Sequence, residues 1–179
     1  FLAINVCLIL ITQFHGLFPN HEDVIGFTIP YFDGGASISR TARVFPTYLI
    51  FKPAMFLTSY LLIRYWLWNK NILSHFQHDA KHLNKIVFFG ISSAVLLTIH
   101  SIFLGIKFDY DLYKLFRRVV MLLFIIFEII AQAYLVYTLY QIKDKIKDYI
   151  NLDFLIAKRI LVTLLIVTAI ISIPIISFE

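Results

Sequence analysis

Long apolar runs are the feature that most restricts how this chain can fold. Hydrophobic residues make up 60% of the sequence and charged residues 15%, whereas about a quarter of a soluble domain is charged. A water-soluble domain of 179 residues could not bury this much Ile, Leu and Phe. Several runs approach or exceed the roughly 18 apolar residues that cross a bilayer as a helix. The sequence therefore predicts a polytopic membrane protein.

The positions of these runs predict an all-α transmembrane helical bundle that occupies the whole chain, 1–179, as a single domain. We expect five visible spans, at about 1–14, 46–68, 85–106, 119–140 and 156–176. Pro46 suits the first turn of the second span, because the N–H that it lacks would have no helical partner there. Pro53 predicts a kink further into the same helix.

Residues 141–153 follow the fourth span and combine apolar with charged positions. Their apolar members recur at helical spacing among Lys and Asp and are Ile142, Ile146, Tyr149 and Ile150. An amphipathic pattern of this kind is typical of a helix that lies in the plane of the headgroups. We therefore expect the fourth span to continue as a surface helix.

A long polar loop, residues 15–45, separates the first two spans, and its Pro and Gly residues exclude a continuous helix. Cytoplasmic segments carry an excess of Lys and Arg. The larger basic group comprises Arg64, Lys70, Lys81, Lys85, Lys143, Lys145, Lys147, Lys158 and Arg159. With that group in the cytoplasm, the loop 15–45 is extracytoplasmic or luminal. The predicted location is the plasma or inner membrane, or an organelle membrane if the source is eukaryotic.

The loop contains Pro30-Tyr31-Phe32-Asp33-Gly34-Gly35, and Pro46 and Leu49-Ile50-Phe51 follow it. Together these residues resemble the first luminal loop of the FRAG/DRAM/SFK membrane proteins. Members of that family typically show a Pro-x-x-Ser-Asp-Thr-Gly-like stretch, a later proline and an Ile-Phe that opens the next span. Here Phe32 stands in place of the serine and Gly34 in place of the threonine.

The resemblance implies a non-enzymatic membrane protein of lipid-handling, autophagy-related or GPI-anchor-maturation context. It also implies six spans, so that a sixth span could follow Glu179.

The loop supplies the candidate lipid- or partner-binding residues, which are Asp33, Gly34, Gly35, Arg40 and Arg43. The carboxylate and backbone N–H groups of an Asp-Gly-Gly turn could bind a headgroup or a partner. Asp and Gly are, however, also favoured in purely structural turns. The guanidinium forks of Arg40 and Arg43 suit a lipid phosphate, although such arginines more often pair with a carboxylate or lie among headgroups.

A second candidate group is intramembrane and polar, and it contains Glu128, Gln132 and Lys52. Glu128 lies near the middle of the fourth span, where an ionised carboxylate costs several kcal/mol unless it is paired, protonated or hydrated. Gln132 follows at i+4 on the same helix face, and Lys52, roughly 9 Å into the second span, could approach Glu128. We expect this group to connect spans; the alternative is a polar cavity in a small transporter or proton-linked channel.

The histidines suggest further alternatives. His15 and His100 lie on different predicted spans at similar depth and could ligate a haem in an electron-transfer subunit. A histidine that bonds to a neighbouring helix is the commoner arrangement. His75, His78 and His82 have helical spacing and form either a weak metal patch or, more commonly, a solvated face. The prediction is no metal and no cofactor apart from bound lipids.

Motifs of enzymes are missing from the sequence. We find no nucleophile elbow, P-loop or dinucleotide fingerprint, so the chain is predicted not to be an enzyme. Its basic residues lie beside apolar runs, where they contact headgroups rather than nucleic acid. The predicted function is that of a non-catalytic accessory, partner-binding or lipid-interacting subunit that acts through its outer loop. Its predicted partners are membrane lipids and other membrane protein subunits.

Overall fold

The structure is a computed structural model that describes residues 1–20, 25–26, 28–29, 41–76, 80–104, 106 and 110–177. Throughout these residues the regular structure is helical, which confirms the predicted all-α class. The helices are α1 (Leu2–Gln13), α2 (Tyr48–Phe76), α3 (Ala80–Phe103), α4 (Asp111–Gln141), α5 (Lys143–Ile146) and α6 (Leu152–Ser177), with a 3₁₀ turn at His15–Leu17.

Three helical stretches of the described chain are long and apolar enough to cross a membrane, and the prediction of five spans was wrong in this respect. They are His82–Phe103, Asp111–Gln141 and Leu152–Ile171. Helix α1 is a shorter apolar helix of 12 residues. Helix α2 has 29 residues, but Lys52, Pro53 and Arg64 interrupt its apolar sequence.

Two helices are longer than their hydropathy suggests, because polar residues join them at one end. Helix α2 continues past Trp68 to Phe76, where Leu73 is buried. Helix α4 begins at Asp111 rather than near Val119, and an acidic residue in the first turn suits the positive end of the helix dipole. The Asp111 carboxylate also lies 3.1 Å from Lys114 Nζ.

The chain divides into two compact units. The first contains Phe1–Tyr60 and Leu97–Val120, and the second contains Leu61–Leu96 and Met121–Glu179. Two small apolar clusters form the interior of the first unit; their buried members are Cys7, Ala42, Phe51 and Leu104, and Ile11, Phe18, Ile25 and Val44. Residues 41–47 therefore pack on α1 within this unit. The single transmembrane domain stays a prediction.

One larger core organises the second unit. Its buried members are Trp66 and Leu73 from α2, Leu83 and Ile86 from α3, Ala131 and Leu135 from α4, and Ile142 and Ile146. Helix α6 adds the buried Leu155 and Val162, yet 11% of its apolar window is buried. The sides of α6 are thus largely exposed apolar surface, as expected of a helix that lies in lipid.

The segment after α4 differs from the predicted surface helix. Ile142 and Ile146 are 5% and 3% exposed and pack into the core of the second unit. Tyr149 is instead 79% exposed. Lys145 donates a hydrogen bond of 3.2 Å to the carbonyl of Phe76, where a cation complements the carboxyl end of α2. The first half of the apolar stripe therefore contacts protein rather than headgroups.

Candidate functional site

The polar group around Glu128 lies between α3 and α4 in the second unit. Ser93 of α3 donates a hydrogen bond of 2.7 Å to Glu128 Oε2. Gln132, one turn further along α4, donates a bond of 2.9 Å to Glu128 Oε1. Ser93 is fully buried, and Glu128 and Gln132 are half-buried. The two carboxylate oxygens of Glu128 therefore accept hydrogen bonds from two helices: Oε2 from Ser93 on α3, and Oε1 from the next turn of α4 itself.

Ser93 is the residue that links Glu128 to the neighbouring helix. Its Oγ also lies 2.8 Å from the carbonyl oxygen of Gly90 on its own helix. A serine hydroxyl has a single proton to donate, and a bond to a charged acceptor is stronger than one to a neutral carbonyl. The carboxylate of Glu128 is thus the favoured acceptor, and the Ser93–Glu128 bond connects α3 to α4.

A close helix approach adjoins this polar group. Trp66 of α2 is fully buried, and its indole ring lies directly against Gly90. Among the described residues the indole N–H has no acceptor, and such a buried donor costs about 1–3 kcal/mol. Packing of the large ring against the glycine offsets that cost. The complete burial of Trp66 makes it an interior packing residue of the second unit.

Lys52 was expected to approach Glu128. It is half-buried and belongs to the first unit, whereas Glu128 belongs to the second. The pairing stays a prediction, and the hydrogen bonds of the Glu128 carboxylate go to Ser93 and Gln132. Sequence reasoning missed Ser93. The available signal was a hydroxyl inside an apolar helix, which requires a partner within a membrane but does not name one.

The histidines lie in three different environments. His15 Nε2 is 3.0 Å from the carbonyl oxygen of Thr12, which is a local contact. His100 Nδ1 is buried without a hydrogen-bond partner in the described part of the chain. His82 is half-buried, with its ring 6.3 Å from that of Tyr134, whereas His75 is exposed.

Metal and haem binding were considered for these residues. The described residues include no group of three or more His, Cys, Asp and Glu that could hold a metal ion. His78 lies outside the described residues. Haem binding by His15 and His100 stays an untested alternative, and the prediction of no cofactor apart from bound lipids also stays a prediction.

Most of the predicted outer-loop site, namely Asp33, Gly34, Gly35 and Arg40, lies outside the described residues. Arg43 is described and exposed. The turn that carries it is fixed from within, because the buried hydroxyl of Thr47 lies within hydrogen-bond distance of the carbonyls of Thr41 and Val44, the latter at 2.7 Å.

The same turn is joined to α1, since Cys7 Sγ lies 3.5 Å from the carbonyl oxygen of Thr47. Arg43 is thus presented on an anchored turn rather than on an unsupported segment.

Cations and aromatic rings meet at the end of the second unit where α4 ends and α6 begins. Lys158 Nζ donates a hydrogen bond of 3.0 Å to the Tyr65 hydroxyl. The Arg159 guanidinium carbon lies 5.2 Å from the centroid of the Tyr140 ring. Both distances are typical of favourable contacts. These two contacts attach α6 to α2 and α4, and each joins a basic side chain to an uncharged tyrosine.

No protein-family model matches the chain, and no curated protein or solved structure matches it. The resemblance to the FRAG/DRAM/SFK proteins therefore depends on the loop residues alone, and residues 30–35 lie outside those that the structure describes.

Proposed function

We propose that this chain is a non-catalytic integral membrane protein that acts as an accessory, partner-binding or lipid-interacting subunit. The observation that carries the proposal is that both carboxylate oxygens of Glu128 accept hydrogen bonds, from Ser93 and Gln132. A carboxylate engaged in this way connects two helices. A transport site, by contrast, must leave its carboxylate accessible to the transported ion or proton.

The apolar surface supports the same proposal. Three stretches have the length and hydropathy of membrane spans, with 33%, 22% and 11% of their windows buried. Such exposed apolar sides are suited to lipid or to other membrane subunits. We extend the proposal to the outer loop, in which Asp33, Arg40 and Arg43 would form the surface that meets a partner or a headgroup. The exposed position of Arg43 on an anchored turn is what supports this part.

Reconstitution tests the role of Glu128. Vesicles that contain the protein should conduct protons no faster than empty vesicles, and Glu128→Gln should leave that rate unchanged. A flux above that of empty vesicles, abolished by Glu128→Gln, would instead establish the small transporter or channel. A variant that is well folded by circular dichroism is required for either conclusion.

Co-purification tests the outer loop. The double substitution Arg40→Ala and Arg43→Ala should release bound lipid or partner subunits while helix content stays unchanged. Arg118→Ala is the matched control, since Arg118 is an exposed arginine on α4. Retention of every bound component by the double variant would remove the loop from the proposal.

The orientation of the chain is also proposed, with residues 15–45 extracytoplasmic or luminal. In a background that carries Cys7→Ser, cysteines introduced singly as Arg43→Cys and Lys147→Cys should react with membrane-impermeant maleimide from opposite sides. Arg43→Cys should react in intact cells or right-side-out vesicles, and Lys147→Cys only after permeabilisation. The reverse pattern would invert the topology, and the FRAG/DRAM/SFK resemblance would lose its luminal loop.

A further inference from the structure

The end of the second unit where α4 stops and α6 starts is strongly basic, and we call it the basic end. Its described basic residues are Arg64, Lys70, Lys85, Lys143, Lys145, Lys147, Lys158 and Arg159, and its acidic residues are Asp144, Asp148 and Asp153. The ion pair that the structure gives by distance joins Lys114 to Asp111, which are not part of this end. The positive charge of the basic end is therefore not balanced by ion pairs among the described residues.

Lys158 and Arg159 differ by their depth from Lys143, Lys145 and Lys147, which lie in the polar segment between α4 and α6. Lys158 and Arg159 lie within the apolar stretch Leu152–Ile171, about 10 Å from its first residue at 1.5 Å per residue. The contact between Arg159 and Tyr140 places them level with the last turn of α4. Glu128 lies about 18 Å deeper on α4 by the same rise per residue. In a membrane-spanning α6, these two adjacent cations would lie near the depth at which headgroups give way to acyl chains.

The neighbours of these two cations are aromatic rather than acidic. Lys158 uses one of its three N–H donors on the Tyr65 hydroxyl. The Arg159 guanidinium carbon lies over the Tyr140 ring, and a cation–π contact of this kind does not use up the N–H donors of the guanidinium. The tyrosines therefore position both cations and leave donors for an anion.

The surface just deeper than these cations is apolar. Ile160 and Leu161 follow directly in the helix and are 56% and 58% exposed. An occupant that is anionic at one end and apolar at the other complements both features. A soluble anion would match the cations but would leave the isoleucine and leucine uncovered.

We propose that the phosphate of an anionic phospholipid binds Lys158 and Arg159, with its acyl chains along the exposed face of α6. Because these residues also contact Tyr65 of α2 and Tyr140 of α4, the lipid bridges α6 to the rest of the second unit. The proposal depends on the membrane placement of the proposed function. It concerns a site separate from the outer loop.

Lipid retention measured by native mass spectrometry tests this site. The protein is taken from vesicles of equal phosphatidylglycerol and phosphatidylcholine content, and the two retained lipids are counted. The natural chain should retain phosphatidylglycerol preferentially. Lys158→Gln combined with Arg159→Gln should lower the ratio of the two lipids by roughly tenfold, since each basic residue near an anionic surface contributes substantially to binding.

Two further double variants distinguish a specific lipid site at Lys158 and Arg159 from a general attraction of anionic lipid by the basic end. Lys143→Gln combined with Lys147→Gln removes the same charge from exposed positions of the basic end and should leave the ratio within about twofold of the natural chain. Lys158→Arg combined with Arg159→Lys keeps the charge and should retain the preference. If the variant with Lys158→Gln and Arg159→Gln does not fold, Arg159→Gln alone keeps the Lys158–Tyr65 bond. This single variant should still lower the ratio of phosphatidylglycerol to phosphatidylcholine.

Equal ratios for the natural chain and for the variant with Lys158→Gln and Arg159→Gln would overturn the lipid site, as would an equal loss in the variant with Lys143→Gln and Lys147→Gln. Either result, obtained on protein that reconstitutes normally, leaves the membrane placement intact. Failure of the natural chain to enter vesicles would instead contradict the proposed function itself.

Discussion

The indole ring of Trp66 lies against Gly90 so closely that a methyl group at Gly90 would come within 2.3 Å of the ring atoms Cγ and Cδ2. Both residues are buried in the second unit. Ser93, which hydrogen-bonds Glu128, lies one turn after Gly90 on α3. The approach of α2 to α3 and the polar link from α3 to α4 therefore depend on neighbouring positions of one helix.

Gly90→Ala should destabilise the protein by about 1–3 kcal/mol, which is the usual effect of overpacking a well-packed interior. The indole is rigid, so a helix has to shift to admit the methyl group. Alanine's advantage of about 1 kcal/mol in helix propensity is smaller than this strain. The free energy of unfolding in detergent, measured with a denaturant, checks the prediction.

Gly16→Ala is the control for this substitution, because nothing lies within 4 Å of a methyl group placed there. Combining Gly90→Ala with Trp66→Leu should recover part of the loss, since contacting residues show non-additive effects. Additive losses in the double variant would mean that the two side chains do not share a packing site.

Ser93→Ala should cost about 1 kcal/mol, the usual size of an intramembrane hydrogen bond, because it leaves Glu128 Oε2 without its donor. Ser93→Ala combined with Glu128→Leu and Gln132→Leu should be closer to the natural chain than Ser93→Ala alone, since removing all three bonded groups is less costly than orphaning one of them. Thermal unfolding of the natural chain and the two variants in one detergent measures the difference. A triple variant that is less stable than Ser93→Ala would contradict the proposed structural role of Glu128.

Thr47→Val should loosen the turn that carries Arg43. The substitution keeps the side-chain shape but removes the buried hydroxyl, whose single proton bonds the carbonyl of either Thr41 or Val44, and the loss of such a bond costs about 0.5–1.5 kcal/mol. We expect faster proteolysis within residues 41–47. Thr58→Val is the control, because the Thr58 hydroxyl bonds Ala54 on an exposed helix face. Equal cleavage of both variants would show that Thr47 does not fix the turn.

Hydropathy was sufficient to predict the helices that have only a small fraction of their residues buried against the rest of the protein. For α4 and α6, the apolar run alone implies a helix, because a membrane leaves no other partner for the backbone. The same pattern also placed a span over α2, whose sequence carries Lys52, Pro53 and Arg64. A run of apolar residues predicts a helix more securely than it predicts a crossing.

Contacts between helices could not be predicted from the hydropathy of the sequence. The Gln132–Glu128 bond follows from a spacing of four residues on one helix. The Ser93–Glu128 bond depends instead on the register of α3 against α4, and the contact of Trp66 with Gly90 depends on how α2 approaches α3. A single sequence contains the residues of these contacts but not the pairing. Lys52 was for that reason the expected partner, and Ser93 was missed.

The exposed face of α6 yields the last prediction. Leu164 and Ile170 are 56% and 61% exposed, whereas Val162 is 5% exposed. In a chain with Cys7→Ala, nitroxide labels at Leu164→Cys and Ile170→Cys should be accessible to oxygen and inaccessible to a water-soluble nickel complex. Oxygen concentrates in hydrocarbon and the nickel complex in water, so that this pair of relaxation measurements reports what surrounds each label. Lys147→Cys is the aqueous control, because Lys147 is exposed in the polar segment between α4 and α6. Nickel access at Leu164 would contradict the membrane placement, since a helix with so little buried surface is stable only where hydrocarbon or another apolar surface covers its sides.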